Sequence, residues 1–299
     1  PAYLDELGRL KKWGDRSMEL PRESVAQVAV ISSLESEFYT CGRHTGRNPI
    51  SLPLYNEQVA EFCRAGAPFD WYTIEDLPDP KMKSYCLYIF LDCFHLTSPQ
   101  REAIDGLKKN HRSLLWYYAP GFVTDDVLSK GSMESLTGLR FDQSERGTLC
   151  LKMETSIGTD VPAEFGADVE VSPYFLPKDS DVEVLARQSG TAHAVLVRKT
   201  FDGWTSIYNP GTVLPAALLR SLYRDAGVHV YCDSGDHFSA NAGWLSLHTV
   251  TAGRKTVRLP TRSDVYDIFA EKNVLKNGCE FGVDVTSRST YVFLVTRPQ

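Results

Sequence analysis

The chain has 299 residues, of which 42% are hydrophobic and 23% charged, the balance of an ordinary soluble globular protein with one large domain or two smaller ones. A formal net charge of −6 with scattered Lys and Arg supplies no basic stripe and argues against nucleic acid as a partner. No apolar run reaches the roughly 18 residues that a membrane span needs, and the charged, amphipathic start PAYLDELGRLKKWGD lacks the apolar core of a signal peptide.

Residues 2–14 place Leu4, Leu7, Leu10 and Trp13 on one helical stripe. Gln27–Ser32 is expected as the first sheet strand, followed by a polar, glycine-containing loop from Leu34 to Pro53. Leu54–Ala65 reads as a helix stopped by Gly66, and Asp70–Ile74 as the second strand, closed by the acidic, proline-rich Glu75–Pro80. The apolar runs Leu87–Leu91 and Leu114–Tyr118 flank a short helix that starts at Ser98-Pro99. Apolar runs without alternation suit strands covered on both faces, so Tyr85 to Phe122 reads as one β-α-β unit of a doubly wound, mostly parallel sheet. A further helix is expected over Thr124–Leu136, with Thr124-Asp125-Asp126 near its N-terminus. The pattern turns irregular from Leu139 to Leu185 and suggests a small β insertion near residues 139–190. Ala192–Lys199 and Trp204–Asn209 are strands joined by the hairpin signal Asp202-Gly203. Pro215–Asp225 is expected as a helix and Val228–Cys232 as a further sheet strand. After Asp233, Trp244–Val250, Arg254–Leu259, Asp264–Phe269 and Tyr291–Thr296 are strand-like, and Thr256, Arg258, Phe281, Val283 and Val285 keep a period of two. That region reads as a compact antiparallel β module.

The strands of the β-α-β unit end in Asp92-Cys93-Phe94-His95 and in Ala119-Pro120-Gly121. In open α/β sheets, sites lie at the carboxyl ends of strands. The succession strand-Asp-x-Phe, Ser-Pro helix start, strand-Trp-Tyr-Tyr-Ala-Pro-Gly resembles the amidotransferase-like domain of large bacterial glycoside hydrolases, similar to the family 42 β-galactosidases. Val28–Ser33 followed by Ser36, the stretch Ala65-Gly66-Ala67-Pro68-Phe69-Asp70, and Ala226–Asp233 followed by Ala240-Asn241 extend the likeness over roughly residues 20 to 299. The resemblance implies a flavodoxin-like domain that follows a catalytic barrel and serves trimerisation. On that basis residues 1–18 form a leading helix, a remnant of the barrel's exit, and the chain is a piece of a longer protein. Residues 19–238 form the class I amidotransferase-like α/β domain, and 239–299 the small β module.

The amidotransferase ancestry invites a search for a Cys-His-Glu triad, in which an imidazole activates a thiolate on a tight turn. Here the corresponding elbow, Tyr118-Ala119-Pro120-Gly121-Phe122, has no Cys, and no His is followed by Glu two positions on. Pro120 also lacks the N–H that would donate to an oxyanion. Cys93 with His95 is the sharper catalytic pair, because residues i and i+2 of an extended segment point to one side. Its bland counterpart is a loop cysteine beside a surface histidine. Asp92 and Asp233, if their strands are parallel, face each other as an acid pair, yet carboxylates at strand ends commonly cap turns. Asp92, Tyr118 and Asp233 are the candidate borders of a shallow, sugar-holding cleft, with Tyr118 offering a ring face. Trp116 and Tyr117 read as core, while Tyr118 and Phe122 read as surface. Ser234-Gly235-Asp236-His237 has no G-x-S-x-G elbow, and no phosphate loop or metal-type H-x-x-x-H is present. No cofactor and no metal are expected. Seven cysteines without C-x-x-C spacing argue against a zinc ribbon or thioredoxin motif, and their odd count suggests reduced thiols in a cytoplasm.

The expected function is a non-catalytic, assembly-type region of a larger carbohydrate-active enzyme. It associates with itself, a trimer being the first guess, and with a preceding barrel whose active site it shapes. The alternative is an independent hydrolase or sugar-binding domain working at the rim around Asp92, Cys93 and His95.

Overall fold

The computed structural model describes all residues except 1, 41–47, 125–126, 155–156, 159 and 299, with the side chains at 2, 6 and 9 also left aside. Its helices are α1 (Ala2–Ser17), α2 (Ser51–Arg64), α3 (Ser98–Asp105), α4 (Lys130–Thr137) and α5 (Ala216–Asp225). The first strands are β1 (Val28–Ser32), β2 (Phe69–Thr73), β3 (Leu87–Phe90), β4 (Arg112–Tyr117), β5 (Val123–Thr124), β6 (Val127–Leu128), β7 (Phe141–Ser144), β8 (Gly147–Met153) and β9 (Glu164–Val171). They continue as β10 (Tyr174–Pro177), β11 (Glu183–Gln188), β12 (Ala194–Phe201), β13 (Trp204–Asn209), β14 (His237–Ala240), β15 (Trp244–His248), β16 (Gly253–Asp267), β17 (Lys272–Val285) and β18 (Thr290–Thr296). No helix among the described residues is long and apolar enough to cross a membrane.

Two compact units form. The α/β unit comprises Gln27–Phe62 and Phe69–His229, and the β unit comprises Pro1–Ala26, Cys63–Pro68 and Val230–Gln299.

The α/β unit is built on one mixed sheet in the order β2-β1-β3-β4-β13-β12-β11-β8-β9. β2, β1, β3, β4 and β13 run parallel. β12, β11, β8 and β9 then add antiparallel. β1 and β3 are buried at every position, as their unbroken apolar sequences require. Gln58, on the buried stripe of α2 with Leu54 and Phe62, accepts from Tyr117 Oη at 2.9 Å and from Leu214 N at 2.7 Å. Helix α3 starts one residue earlier than its Ser-Pro suggested. Thr97 is the cap, and its N–H donates to Gln100 Oε1 at 2.8 Å in a capping box.

Three elements differ from the sequence expectation. Residues 147–153, 164–171 and 183–188 extend the main sheet as β8, β9 and β11, because β11 pairs with the open edge of β12, β8 with β11 and β9 with β8. The helix expected from Thr124 begins only at Lys130, after the short ribbon β5–β6, and Asp125 and Asp126 lie outside the described residues, as do Cys41, Gly42 and Gly46. Val228–Cys232 forms no strand. The place beside β4 belongs to β13, which the Gly203 turn returns from β12.

In the β unit, β14-β15-β18-β16-β17 form one antiparallel sheet. The two expected strands Arg254–Leu259 and Asp264–Phe269 join into β16, with register shifts between Arg258 and Ser263. Pro260 lies in that interval and has no N–H for a regular ladder. The core gathers Phe238, Leu245, Leu247, Val257, Val265, Phe281 and Phe293. Tyr231 N and Cys232 N both donate to Gly66 O, so the 230–232 segment is held by a turn rather than a ladder. Only glycine fits at position 66, where φ is +87° and a Cβ would lie 1.6 Å from Cys232 O. On α1, Trp13 packs against Trp244 and Tyr266 at ring separations of 6.4 and 5.8 Å, while Leu4, Leu7 and Leu10 stay exposed.

Candidate functional site

The carboxyl ends of β1, β3, β4 and β13 form the rim of the α/β unit. Asp92, just past β3, is fully buried. Its Oδ1 accepts from Ser33 N at 2.8 Å and its Oδ2 from Tyr55 Oη at 2.5 Å. Burial pushes the Asp92 carboxyl up to about 6, against the lowering pull of the Tyr55 and Ser33 hydrogen bonds. Burial and the Asp92 charge raise the Tyr55 hydroxyl in turn. Asp92 thus ties α2 to the end of β1, with no surface left to meet a ligand.

Cys93 is also buried, and burial raises its thiol well above the ordinary range, so the thiol keeps its proton. Its Sγ lies 3.9 Å from Ile31 O, toward the sheet. His95 turns to the 3-10 turn Glu35–Tyr39. Its ring stacks on Tyr39 at 4.7 Å, and its buried Nδ1 stands 3.7 Å from Glu35 Oε2, beyond hydrogen-bond reach. Ser36 closes this corner, with His95 N donating to Ser36 Oγ at 3.0 Å and Ser36 Oγ to Ser33 Oγ at 2.9 Å. Cys93 and His95 therefore face different partners.

At the end of β4, Tyr118 adopts φ of +61°, an uncommon backbone state for a bulky side chain. The surroundings hold it there. Tyr118 N donates to Asn209 O at 2.8 Å, Tyr118 O accepts from Tyr208 Oη at 2.8 Å, and Tyr118 Oη donates to Pro173 O at 2.7 Å. Further along the elbow, Gly121 N donates to Cys93 O and Phe122 N to Ala119 O. These N–H groups are engaged within the fold and are not aimed at an oxyanion. Trp116 and Tyr117 are buried as expected, but Phe122 is buried too, packed against Phe175 at 4.9 Å, and is not the surface residue its turn position suggested.

Above this elbow lies a cavity of about 410 Å³. Phe94, Tyr118, Ala119 and Phe122 form one wall, Tyr39 and Ile50 another, and Val171 to Pro173 a third. Rings dominate, and Phe94 meets Tyr118 edge-on at 5.6 Å. Sequence reasoning found the β3 and β4 walls. It missed Tyr39, Ile50 and the 171–173 wall, which come from distant segments without any motif.

Asp233 belongs to the β unit, exposed and paired with Arg258 Nη1 at 3.2 Å. In the same unit Asp236 accepts from Val250 N and Ser234 Oγ, both at 2.6 Å, and faces Lys255 Nζ at 3.1 Å. Ser234 donates to Asp236, and its Oγ lies 3.1 Å from Cys232 Sγ, so this Ser-Asp-His run is a hydrogen-bonded corner. Among the described residues no three His, Cys, Asp or Glu side chains converge as a metal-binding group.

No protein-family model matches the chain, and no curated protein matches it. Solved structures do. A β-galactosidase from Bacillus circulans sp. alkalophilus superimposes with a TM-score of 0.68 over 93% of this chain and 42% of its own, at 14% identity. The catalytic mutant of a GH42 β-galactosidase from G. stearothermophilus gives 0.61 over 92% of this chain and 41% of its own, at 13% identity. For the β-galactosidase from the psychrophilic Marinomonas ef1 the values are 0.59, 99%, 41% and 15%. The likeness is one of fold. The chain spans about two fifths of the length of each of these structures.

Proposed function

We propose that the chain is the non-catalytic accessory region of a larger glycoside hydrolase of the β-galactosidase kind. In this reading the α/β unit is a flavodoxin-like, amidotransferase-like domain that has lost its chemistry. It supports self-association, with a trimer the first guess, and shapes the active site of a neighbouring barrel in a cytoplasmic enzyme. The observation that carries the reading is the fold match, which takes in over nine tenths of this chain and only two fifths of β-galactosidase structures. The elbow agrees with lost chemistry: Tyr118 to Phe122 contains no Cys, and Cys93, whose carbonyl accepts the Gly121 N–H, has a buried, protonated thiol. The exposed Leu4, Leu7 and Leu10 on α1 form an apolar stripe that a preceding barrel would cover.

Reading the coding region that precedes residue 1 tests the proposal most directly. A barrel-encoding stretch is expected, and a start codon immediately before Pro1 would remove its basis. The purified chain is expected to self-associate at micromolar concentration by light scattering, and a clean monomer at high concentration argues against the assembly role. It is expected to release no ammonia from glutamine. Release that disappears in Cys93→Ser would establish the alternative, an enzyme working at the rim.

A further inference from the structure

The sheet of the β unit sets two histidines side by side. His237 on β14 stands directly opposite His248 on β15, and His248 directly opposite Thr290 on β18. Opposite residues of antiparallel strands project to the same face, with Cβ atoms about 4.5–5.5 Å apart. The flanking Phe238 and Leu247 point into the core, which leaves both histidines on the solvent face, where both are exposed. Their ring centroids are 6.3 Å apart, with the planes at 82°. The sequence has no H-x-x-x-H, and the pairing comes from the register of β14 on β15.

Thr290 supplies an independent observation. His248 Nδ1 lies 2.8 Å from Thr290 Oγ1. When Nδ1 donates to that hydroxyl, the ring is held in one orientation and Nε2 carries the free lone pair. Metal-ligating histidines are built this way, with the second ring nitrogen fixed by an outer partner. Among the described residues the His237 ring has His248 as its neighbour and no hydrogen-bond partner, so it is free to turn toward the same point. Ring nitrogens that share one ion sit roughly 2.0–2.1 Å from it, which sets the two ring centroids about 5–6.5 Å apart. The observed 6.3 Å lies within that reach. No third His, Cys, Asp or Glu joins the pair among the described residues, so water completes the shell. Two imidazoles without a carboxylate disfavour calcium and magnesium, which take oxygen ligands, and suit zinc, nickel or copper.

We infer that His237 and His248 form a two-imidazole site for a divalent ion of the zinc, nickel or copper type, with Thr290 orienting the His248 ring. The bound ion ties the edge strand β14 to β15. The site goes beyond the accessory role and does not depend on it.

Zinc is a suitable probe, titrated into the full chain and followed by calorimetry and by NMR of the histidine ring nitrogens. Saturable binding is expected, with the His237 and His248 rings shifting together while His111 and His193 stay unshifted. His237→Gln and His248→Gln should each weaken binding by about tenfold or more. Both side chains are exposed, and each variant carries the test if the other misfolds. Thr290→Val keeps both ligands and should weaken binding by about tenfold, whereas Thr290→Ser, which keeps the hydroxyl, should bind as the wild type does. Cys279→Ser should change nothing, because that exposed thiol lies on β17, outside the row. Magnesium should leave both rings unshifted. The inference is overturned if zinc does not bind saturably, if the shifts map to other groups, or if either Gln variant binds as tightly as the wild type. Loss of binding in Cys279→Ser, or magnesium binding at these rings, would overturn it too. Undiminished binding in Thr290→Val would overturn the orienting role of Thr290.

Discussion

Asp92 in the α/β unit and Asp236 in the β unit are nearly the same site built twice. Each carboxylate is buried, each accepts one backbone N–H, and each accepts one side-chain hydroxyl, Tyr55 in the first case and Ser234 in the second. Their acidities nevertheless move in opposite directions. Burial lifts Asp92 to about 6, with the Glu37 charge adding to the rise. Burial lifts Asp236 too, but the Ser234 and Val250 hydrogen bonds and the Lys255 ammonium outweigh it and hold that carboxyl below its usual range. Two neutral donors do not compensate for the lost water, whereas two donors and a cation do.

The sharpest way to break the comparison is to remove the cation. Lys255→Met leaves the Asp236 charge buried and uncompensated, and should cost about 3–5 kcal/mol of stability in denaturant unfolding. Adding Asp236→Asn to it should recover much of that loss. A cost under about 1 kcal/mol would show that the ammonium does not set the balance.

Asp92 makes the second prediction, with a sign that Asp236 cannot imitate. Its folded pKa of about 6 lies above the ordinary carboxyl value, so the folded state holds the proton longer. Its contribution is greatest below about pH 4, declines as pH rises through 4–6, and is level above, a drop of about 3 kcal/mol. Lowered carboxyls such as Asp236 act the other way and lose their stabilisation as pH falls through the acid range. In Asp92→Asn the decline between pH 4 and 6 should largely vanish, because the amide is neutral at every pH. A variant whose melting temperature follows the wild-type pH curve would refute the assignment.

The hydroxyl donors refine the comparison. Tyr55→Phe strips Asp92 of one of two donors and should cost about 1.5–3 kcal/mol at pH 7, less at pH 5 where the carboxyl is protonated. Ser234→Ala should cost only about 0.5–1.5 kcal/mol, since Lys255 still faces the same oxygen. Equal losses at pH 7, measured by urea unfolding, would mean that the cation gives no protection.

Much of the architecture was readable from local pattern. The expected strands Gln27–Ser32, Leu87–Leu91 and Leu114–Tyr118 became the parallel strands β1, β3 and β4, and Asp202-Gly203 became the turn between β12 and β13. The period of two after Asp233 became the antiparallel module. Other parts depended on partners far along the chain. Val228–Cys232 has a strand's composition, yet its N–H groups go to Tyr223 O, Gln27 Oε1 and Gly66 O and to no ladder. β8, β9 and β11 have weak patterns of their own and became strands because each found an open edge, β11 on β12, β8 on β11 and β9 on β8.

The candidate site divides in the same way. By itself, the sequence determined that Asp92, Cys93, His95 and Tyr118 follow sheet strands, because strand-forming runs and their ends are local properties of composition and period. Only the tertiary structure decided what each of them became. Asp92 was sealed by Tyr55 from α2, His95 was turned to Tyr39, Tyr118 was forced to positive φ by its neighbours, and Asp233 was assigned to the other unit. Whether a carboxylate is buried or paired is the sum of desolvation and distant charges, and both arise from contacts between residues that the sequence does not place together.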